Sequence, residues 1–463
     1  MSIAFSAEEI AAEERRPKRK VAVLVGYAGT GYHGLQINHK EKTIEGDLFA
    51  AFVAAGAISK ANADDPKKSS LVRCARTDKG VHAAGNVLSL KLIVEDEDIV
   101  EKINSHLPEQ IRVWGVQRTT GGFSAYQGCD SRWYEYLMPS YALLPPQPQS
   151  FLGKKVAESV VEKGVVLEFE ERLGDVKNFW EEVETRDIVP ILEKLDPSVR
   201  TEALKLFRDA ADQELSDGDG PVIEGSKTED GIAKAKQPKS EPLKEQAGAE
   251  EAVTEPSASA VAADEMVVDQ VEPRVKTYSP TELAVRELKA AYIAAKRKYR
   301  VSPARLEQLQ KALDLYLGTH NFHNYTILKS ASDPSAKRHI RAFKADTTPI
   351  HIGDTEWLSV KIHGQSFMMH QIRKMIAMAV MVVRCGAPLN LITESYGTRR
   401  ISIPKAPGLG LMLERPIFAE ANKKAITLGR EPIDFAEYED QIREFKDRHI
   451  YRRMFEVEEK ENS

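Results

Sequence analysis

An acidic segment in the middle of the chain constrains the fold more than any other feature of the sequence. Residues 209–273 contain 17 Asp and Glu, 5 Lys and no Phe, Trp or Tyr. A segment with so few large apolar side chains buries too little surface to offset the entropy lost when it becomes ordered. The sequence therefore predicts a disordered acidic insertion, and the core has to be built from the residues on either side of it.

The rest of the chain is basic. The formal net charge of the 463 residues is -5, but the residues outside the acidic segment carry 60 Lys and Arg against 53 Asp and Glu. The part of the chain that can fold therefore has a net charge of +7, which is compatible with an anionic partner such as a nucleic acid.

Cysteine usage and hydropathy narrow the class of protein further. The three cysteines form no Cys-x-x-Cys pair, so the sequence supports neither a disulfide framework nor a cysteine-based zinc site. The most apolar helical stretch, residues 375–383, is about half the length that a membrane span needs. We expect an intracellular protein with no membrane role.

Hydrophobic periodicity divides the foldable residues into two α+β halves. Apolar residues alternate in residues 21–25, 85–92 and 357–362, which predicts strands, whereas residues 43–58, 366–385 and 433–457 show helical patterns. We predict a disordered basic tail at 1–19, an N-terminal half at 20–140, a loop and helix extension at 141–208, the acidic insertion at 209–273, a C-terminal half at 276–430, and a C-terminal helix and tail at 431–463.

The first glycine-rich loop is a weak candidate for a nucleotide site. Residues 29–34 (GTGYHG) fit the G-x-G-x-x-G fingerprint and follow a predicted strand. In a dinucleotide site a helix begins at once and points its N-terminus at the pyrophosphate, but here the next helical pattern begins only near Thr43. The sequence therefore favours a tight loop that lets the backbone approach another large group over a nicotinamide or flavin enzyme.

The strongest candidate for chemistry is Asp78, which lies in the segment Arg73–Ala83 between two predicted strands. Arg76 and Lys79 flank this carboxylate, and Gly80 can turn the chain sharply. An ionised carboxylate among cations suits a nucleophile or a base better than a general acid. Without other information, such a loop would be interpreted as a surface turn.

Several motifs occur in the order and spacing of one known family. The segment around Asp78 resembles the active-site motif of the tRNA pseudouridine synthase A family, and is most similar to its eukaryotic multisite nuclear branch of the fungal type. The other similar segments are residues 20–36 (KVAVLVGYAGTGYHGLQ), 132–136 (RWYEY), 318–325 (GTHNFHNY), 364–375 (GQSFMMHQIRKM) and 406–411 (APGLGL). The resemblance covers about residues 20–140 and 280–420.

The resemblance implies a fold and a reaction. It implies the pseudouridine synthase fold, in which two α+β halves share a mostly antiparallel sheet with a basic RNA-binding cleft between them. Enzymes of this family isomerise uridine in RNA to its carbon-linked isomer without a cofactor. The expected activity is therefore that of a tRNA pseudouridine synthase, an isomerase, acting on a base that has been flipped out of its stack.

The family motif assigns expected roles to individual residues. Asp78 corresponds to the catalytic aspartate, and three roles stay open for it: attack on C1′, attack on C6, or removal of a sugar proton. Tyr134 corresponds to the aromatic residue that stacks on the flipped uracil and can help remove the C5 proton. Arg76 corresponds to the arginine that takes the place of the departing base. Arg373 corresponds to the arginine that pairs with the catalytic aspartate.

The pairing of Arg373 with Asp78 also has a reason that is independent of the family. Arg373 lies in an otherwise apolar helical pattern, and a buried arginine needs a carboxylate partner. The substrate-binding residues that we expect are Thr77, Lys79, His82, Phe367 and His370. His370 could equally be a core histidine. Strand alternation predicts that Trp133, beside the stacking tyrosine, points away from the pocket.

Basic clusters are the expected RNA-binding surface. They are Lys296, Arg297 and Lys298 on a lysine-rich helix, and Lys337 and Arg338 beside the motif strands. Contacts of this kind with phosphates give affinity but little base discrimination. The pair His320 and His323 suggests a metal only weakly, so we predict no catalytic metal and no required cofactor, with a structural zinc ion left open.

Partners and location follow from the resemblance. The expected substrates are uridines of the tRNA anticodon arm, around positions 27/28 and 34/36, with U2 small nuclear RNA and messenger RNA as further candidates. The basic cluster at residues 15–20 fits a solvated tail, a nucleic-acid arm or a nuclear-import signal. With the resemblance, we expect contact with the nuclear import machinery and a nuclear location. We expect a monomer, because the C-terminal helix can cover the surface that bacterial relatives use to dimerise. The alternative is a catalytically silent RNA-binding or chaperone module on the same fold.

Overall fold

The computed structural model describes residues 5–38, 40–213 and 278–461. Most of the predicted acidic insertion, residues 214–273, lies outside these ranges. Residues 209–213 form the end of a helix that begins at Pro197, so the prediction of disorder is wrong for these five residues.

The described strands form one large sheet. Its order is β4-β1-β3-β10-β5-β9-β7-β6, with β2 paired to β3 and β8 paired to β9. The strands are β1 (Arg19–Tyr27), β2 (Val72–Arg73), β3 (His82–Leu92), β4 (Ile111–Arg118), β5 (Ser131–Pro139), β6 (Gly318–Asn321), β7 (Lys337–Ala345), β8 (Ile350–Ile352), β9 (Thr355–Gly364) and β10 (Leu411–Ile417). The pairing of β3 with β10 is parallel and the other pairings of the described strands are antiparallel, which confirms the predicted mostly antiparallel α+β sheet.

The two predicted halves interleave at the centre of this sheet. Strand β10 belongs to the C-terminal half by sequence, but it lies between β3 and β5, which both come from the N-terminal half. Strand β5 in turn pairs along its length with β9 of the C-terminal half. The sheet therefore cannot be divided at residue 140 into two separate units.

Helices cover the sheet, and some of them begin at a Ser or Thr cap. Ser and Thr residues cap several of them: the Thr43 hydroxyl accepts a hydrogen bond from Gly46 N–H, and Ser279 and Ser302 cap the helices that follow them. The helices are α1 (Ala7–Ala11), α2 (Ile44–Ala54), α3 (Ile99–Ser105), α4 (Phe151–Lys163), α5 (Val166–Leu173), α6 (Phe179–Val183), α7 (Val189–Glu193), α8 (Pro197–Gln213), α9 (Pro280–Lys298), α10 (Pro303–Asp314), α11 (Gln371–Arg384), α12 (Asn390–Glu394), α13 (Ala419–Thr427), α14 (Glu439–Phe445) and α15 (Arg452–Glu461).

Two predicted helix boundaries and the predicted N-terminal tail need correction. Helix α11 begins at Gln371 rather than at 366, because His370 adopts a left-handed backbone conformation with φ of 63°. The C-terminal helical segment begins at Glu439 rather than at 433. Within the predicted disordered tail, α1 is a helix with a capping box, and Arg16 forms an ion pair with Asp96. The prediction of disorder is therefore wrong for these tail residues.

The core lies on both faces of the central strands. Every residue of β3 except Lys91 is buried, and the residues of β1 are buried from Val21 onward. Helices α10 and α11 pack against each other, and α10 also packs against β7. Within the described ranges, no helix has the length and apolar character needed to cross a membrane.

The glycine-rich loop after β1 packs against the loop that carries Asp78. A methyl group on Gly29 would lie 2.1 Å from Val81 O, and one on Gly34, which has φ of +92°, would lie 2.8 Å from Thr77 O. No helix begins directly after this loop, because α2 begins only at Ile44. The glycines therefore allow a close approach to the neighbouring loop, and the rejection of a dinucleotide site is supported.

We predict that Gly29→Ala destabilises the protein. The added methyl group meets backbone rather than a flexible side chain, so the two loops have to separate, which should lower the free energy of unfolding by about 2 kcal/mol or more. Urea denaturation followed by circular dichroism measures this change. Gly121→Ala is the matched control, because its methyl group would meet nothing within 4 Å; equal stability of the two variants would contradict the close approach.

Candidate active site

A cavity of about 930 Å³ opens where the loop after β2, strand β5 and the start of α11 meet. Its walls come from both halves of the chain, because the interleaved sheet brings these segments together. The cavity is lined by eight of the residues that the sequence singled out: Arg76, Thr77, Asp78, Tyr134, Arg338, Phe367, His370 and Arg373.

A hydrogen-bond network of buried groups fixes the loop that carries Asp78. The hydroxyls of Tyr27 and Thr77 lie 2.9 Å apart, and Asn86 Nδ2 donates to Tyr27 Oη and to Ala75 O at 3.2 and 3.0 Å. From the glycine-rich loop, Leu35 N–H donates to Thr77 O at 3.2 Å. Because Tyr27, Thr77 and Asn86 are all buried, the backbone around Asp78 is held in place while its side chain faces the cavity.

The charges of the cavity are asymmetric. Asp78 is the one carboxylate among the described residues that line it, whereas five arginines contribute to the same walls: Arg73, Arg76, Arg132, Arg338 and Arg373. Arg73 is neutralised by an ion pair with Glu45, which lies outside the lining. The remaining guanidinium groups make the cavity a good environment for a phosphate-bearing ligand and keep Asp78 in a cationic field.

The partner of Asp78 differs from the predicted one. His370 Nδ1 lies 2.9 Å from Asp78 Oδ2, so His370 is a cavity residue and its interpretation as a core histidine is wrong. The predicted ion pair of Arg373 with Asp78 is not formed among the described residues; Arg373 Nε donates instead to Ala406 O at 2.6 Å. The cause is the late start of α11, since the left-handed turn at His370 brings this side chain to the carboxylate.

An aromatic pair forms the opposite wall. The rings of Tyr134 and Phe367 meet edge to face, with their centroids 5.3 Å apart. Burial raises the pKa of the Tyr134 hydroxyl, so it is protonated at neutral pH. Trp133, the neighbour of Tyr134 on β5, points away from the cavity and stacks on His363, as strand alternation predicts.

Two predicted substrate-binding residues do not line the cavity. His82 is fully buried as the first residue of β3, where its Nδ1 accepts a hydrogen bond from Gly29 N–H at 3.1 Å. The prediction of a substrate contact is therefore wrong for His82, because the strand begins earlier than its alternation indicates. Lys79 is exposed next to the cavity but is absent from its lining.

The predicted RNA-binding residues divide into two places. Arg338 lines the cavity and Lys337, beside it, is exposed. The cluster on α9 is elsewhere: Arg297 donates to Glu459 O of α15 at 3.0 Å, and the ammonium group of Lys296 lies 5.7 Å from the ring centroid of Tyr141. Lys298 is exposed on the same helix, and none of the three lines the cavity. Of the two predicted clusters, the one beside the motif strands therefore contributes Arg338 to the cavity, and the one on α9 lies outside its lining.

Comparison with known proteins identifies the family. The family model described as tRNA pseudouridine synthase matches residues 312–419. The chain is 45% identical over 454 residues to tRNA pseudouridine synthase 1 of Yarrowia lipolytica, covering 97% of this chain and 73% of the relative. It is 43% identical to the protein of the same name from Schizosaccharomyces pombe, covering 97% and 82%. The chain belongs to the tRNA pseudouridine synthase family.

A more distant member of the tRNA pseudouridine synthase family also matches nearly the whole fold. The tRNA pseudouridine(27/28) synthase of Saccharomyces cerevisiae is 35% identical over 404 residues, covering 87% of this chain and 85% of the relative. These relatives are named as synthases, which supports the enzymatic interpretation over the catalytically silent module.

Several residues that position the loops of this synthase site were not predicted from the sequence. Arg132 is 8% exposed, and its guanidinium donates to Gln365 O at 2.8 Å and to Cys74 O at 3.0 Å, which ties β5 to both loops of the cavity. Tyr27 of β1 and Asn86 of β3 form hydrogen bonds with Thr77 and Ala75 of the loop that carries Asp78. The one signal for Arg132 was its place in the RWYEY motif, and the one for Tyr27 was its place in residues 20–36. Asn86 gave no signal, because its partners Tyr27 and Ala75 are not its neighbours in sequence.

The histidine pair does not form a metal site. The His320 ring stacks on Tyr396, with its Nε2 2.7 Å from Leu317 O, and His323 is buried. Among the described residues, no group of three or more His, Cys, Asp or Glu side chains could hold a metal ion. The family carries out its reaction without a cofactor, and the structural zinc ion that the sequence left open gains no support from the described residues.

We predict that His82 makes the stability of the protein depend on pH. Burial lowers the pKa of folded His82 to about 4, whereas the pKa of an unfolded histidine is about 6.5. The unfolded chain therefore binds a proton below pH 6.5 that the folded chain does not bind until about pH 4. Between pH 7.5 and pH 5 this histidine should lower the free energy of unfolding by about 2 kcal/mol.

The measurement is urea denaturation of the wild type and His82→Asn at both pH values. Asparagine offers an oxygen in place of Nδ1 for the hydrogen bond from Gly29 but does not titrate. We expect the loss of stability at pH 5 to be about 2 kcal/mol smaller in His82→Asn than in the wild type. Equal losses in the two proteins would show that His82 is protonated in the fold.

Proposed function

We propose that this protein is a tRNA pseudouridine synthase that isomerises uridines through Asp78. The observation that carries the proposal is that Asp78 is the one carboxylate, among the residues described, in a cavity lined by arginines and faced by an aromatic pair. A flat base can stack on the aromatic wall, its phosphates can contact the guanidinium groups, and the carboxylate can reach the sugar or the ring edge. A catalytically silent RNA-binding module would gain nothing from this carboxylate, because its negative charge repels the RNA phosphates that the arginines attract.

The first step is entry of the target nucleotide. Its glycosidic bond and C5 edge are inaccessible inside a helix, so the nucleotide has to flip into the cavity, which costs a few kcal/mol of stacking and pairing. Arg76 is exposed on the loop two residues before Asp78. In the proposal, its planar guanidinium group enters the vacated position in the RNA stack and reduces this cost.

The second step is cleavage of the N1–C1′ bond with the help of Asp78. The carboxylate either attacks C1′, attacks C6 or removes a sugar proton, and all three routes need an ionised oxygen aimed at the nucleotide. The contact of His370 Nδ1 with Asp78 Oδ2 holds one oxygen, which leaves the other for the substrate. The fixed backbone of this loop supports the proposal, because a base that must rotate and bond again through C5 needs an oriented partner.

The third step is loss of the C5 proton after the new bond has formed. In the proposal, Tyr134 stacks on the uracil ring and its hydroxyl takes part in this transfer. Because burial raises the pKa of the hydroxyl, Tyr134 enters the step protonated. In the proposal it accepts the C5 proton while its own proton passes to a water molecule in the open cavity. Phe367 keeps the tyrosine ring in place through the edge-to-face contact.

The proposed substrates are uridines in the anticodon arm of tRNA, around positions 27/28 and 34/36. The relative from Saccharomyces cerevisiae that is named for positions 27/28 supports this choice. Arginine contacts with phosphates discriminate shape rather than sequence, so U2 small nuclear RNA and messenger RNA are included as further proposed substrates.

A nuclear location and a monomeric state complete the proposal. Import through the basic cluster would have to compete with contacts that its side chains already make. Arg16 pairs with Asp96, Arg19 with Glu95, and Lys18 Nζ donates to Ser59 Oγ at 2.8 Å.

We predict that Asp78→Asn abolishes turnover and leaves RNA affinity within a few-fold of the wild type. The substitution keeps the size of the side chain but removes the nucleophilic charge, while the arginines that bind phosphate remain. Tritium release from C5-labelled uridine in a tRNA transcript measures turnover, and filter binding measures affinity. Asp98→Asn, at an exposed carboxylate before α3, is the matched control and should behave as the wild type. Tritium release by Asp78→Asn would reject the proposed mechanism.

We predict that Tyr134→Phe lowers turnover by about a hundredfold without weakening RNA binding. The ring that stacks on the base is kept, and the group that transfers the C5 proton is lost. Single-turnover kinetics with C5-tritiated and unlabelled tRNA should also show a larger isotope effect, because deprotonation becomes rate-limiting. Tyr292→Phe, which removes the bond of a buried hydroxyl to Glu184, is the control. An unchanged rate would restrict Tyr134 to stacking.

A further inference from the structure

Two of the three cysteines meet in the wall of the catalytic cavity. Cys74 and Cys129 both line it, and each thiol is close enough to the other to change its pKa. Both are free thiols, as is Cys385, which follows the last residue of α11. Cys74 and Cys129 are 55 positions apart in the sequence, and the fold brings them to the wall of the same cavity.

The two thiols lie on segments that also hold the catalytic residues. Cys74 follows β2, and its N–H donates to Val87 O at 2.8 Å. It precedes Asp78 by four residues on the same loop. Cys129 lies just before β5, with its Sγ 3.2 Å from Ser131 O. Arg132 connects the two segments, because its guanidinium donates to Cys74 O at 3.0 Å.

The environments of the two thiols make their reactivities different. Cys74 is 1% exposed, whereas Cys129 is half-buried and faces the open cavity. The hydrogen bond from Cys74 and the nearby charge of Arg132 lower the pKa of Cys129, and burial raises the pKa of Cys74. The accessible sulfur is therefore the more nucleophilic one, and the buried sulfur is placed to react second.

We propose that Cys74 and Cys129 are a site of reversible oxidation to a disulfide. The oxidant is hydrogen peroxide. The Cys129 thiolate attacks one peroxide oxygen to give a sulfenic acid, and the departing hydroxide takes up a proton to leave as water. The Cys74 sulfur then attacks the sulfenic sulfur, loses its proton and releases a second water. Two thiols are oxidised by two electrons, one peroxide is reduced, and a thiol reductant reverses the change.

The bond should change the shape of the active site. A disulfide brings two sulfur atoms to about 2.05 Å, which is shorter than any hydrogen-bonded thiol contact, and fixes the torsion angle between them. The loop of Asp78 and the start of β5 have to move together to form it. A displacement of about 1 Å in a catalytic group can lower a rate a hundredfold, so we expect turnover to fall by at least about tenfold. This last expectation rests on the proposed function; formation of the disulfide does not.

The experiment treats the full-length protein with hydrogen peroxide and analyses it by non-reducing peptide mass spectrometry. The expected product is one cross-linked pair of peptides, which contains Cys74 and Cys129 and lacks two hydrogen atoms. It should form in the wild type and in Cys385→Ser, and be absent from Cys129→Ser. Cys385→Ser is the matched control, because it removes a cysteine outside the cavity and should leave basal turnover unchanged.

Turnover of the same samples is measured before oxidation, after oxidation and after dithiothreitol. The proposal predicts a loss of at least about tenfold that dithiothreitol restores in the wild type and in Cys385→Ser. Peroxide that leaves both thiols reduced, or that oxidises Cys129 alone without a cross-link, would overturn it. A cross-link that leaves turnover unchanged would overturn the proposed effect of the disulfide on the active site. Absence of turnover in the reduced protein would instead reject the proposed function, while the mass spectra would still decide whether the disulfide forms.

Discussion

The placement of β10 between β3 and β5 is the constraint on which the rest of the structure depends. Its parallel register sets Met412 beside His82, and its antiparallel register sets Leu413 beside Tyr134. These pairings join the strand that follows the Asp78 loop to the strand that carries the aromatic wall. Without this strand of the C-terminal half, the two N-terminal strands would have no partner between them and the cavity would lose its floor.

The charges of the cavity follow from this arrangement. The loop after β2 contributes the carboxylate and Arg76, β5 contributes Arg132, and α11 contributes Arg373. The neighbouring segments satisfy some of these guanidinium groups with backbone carbonyls rather than carboxylates: Arg132 donates to Gln365 O and Cys74 O, and Arg373 to Ala406 O. No carboxylate therefore cancels their positive charge, and these guanidinium groups can still attract an RNA phosphate. A chain with a net negative charge thus presents a cationic active site.

The fold was largely predictable from local patterns, and the residues of the cavity from the family motifs. Alternation located the strands β1, β3 and β9, and helical periodicity located α2, α11 and the C-terminal helical segment, because these signals depend on neighbours in sequence. The errors arose where a distant partner decides the structure. His82 belongs to β3 because of its pairing with Met412, and the left-handed turn at His370 delays α11 and gives Asp78 a different partner from Arg373. The contact between Cys74 and Cys129 likewise depends on non-local strand pairing.

The most direct test of the account is an experimental structure of the Asp78→Asn variant bound to an unmodified tRNA transcript. The account predicts that one anticodon-arm uridine is flipped into the cavity, with its ring stacked on Tyr134 and its sugar or ring edge within about 3.5 Å of the residue 78 side chain. It also predicts that Arg76 occupies the vacated position in the RNA stack. A bound tRNA whose uridines all remain stacked outside the cavity, or a flipped base held away from residue 78, would contradict the account.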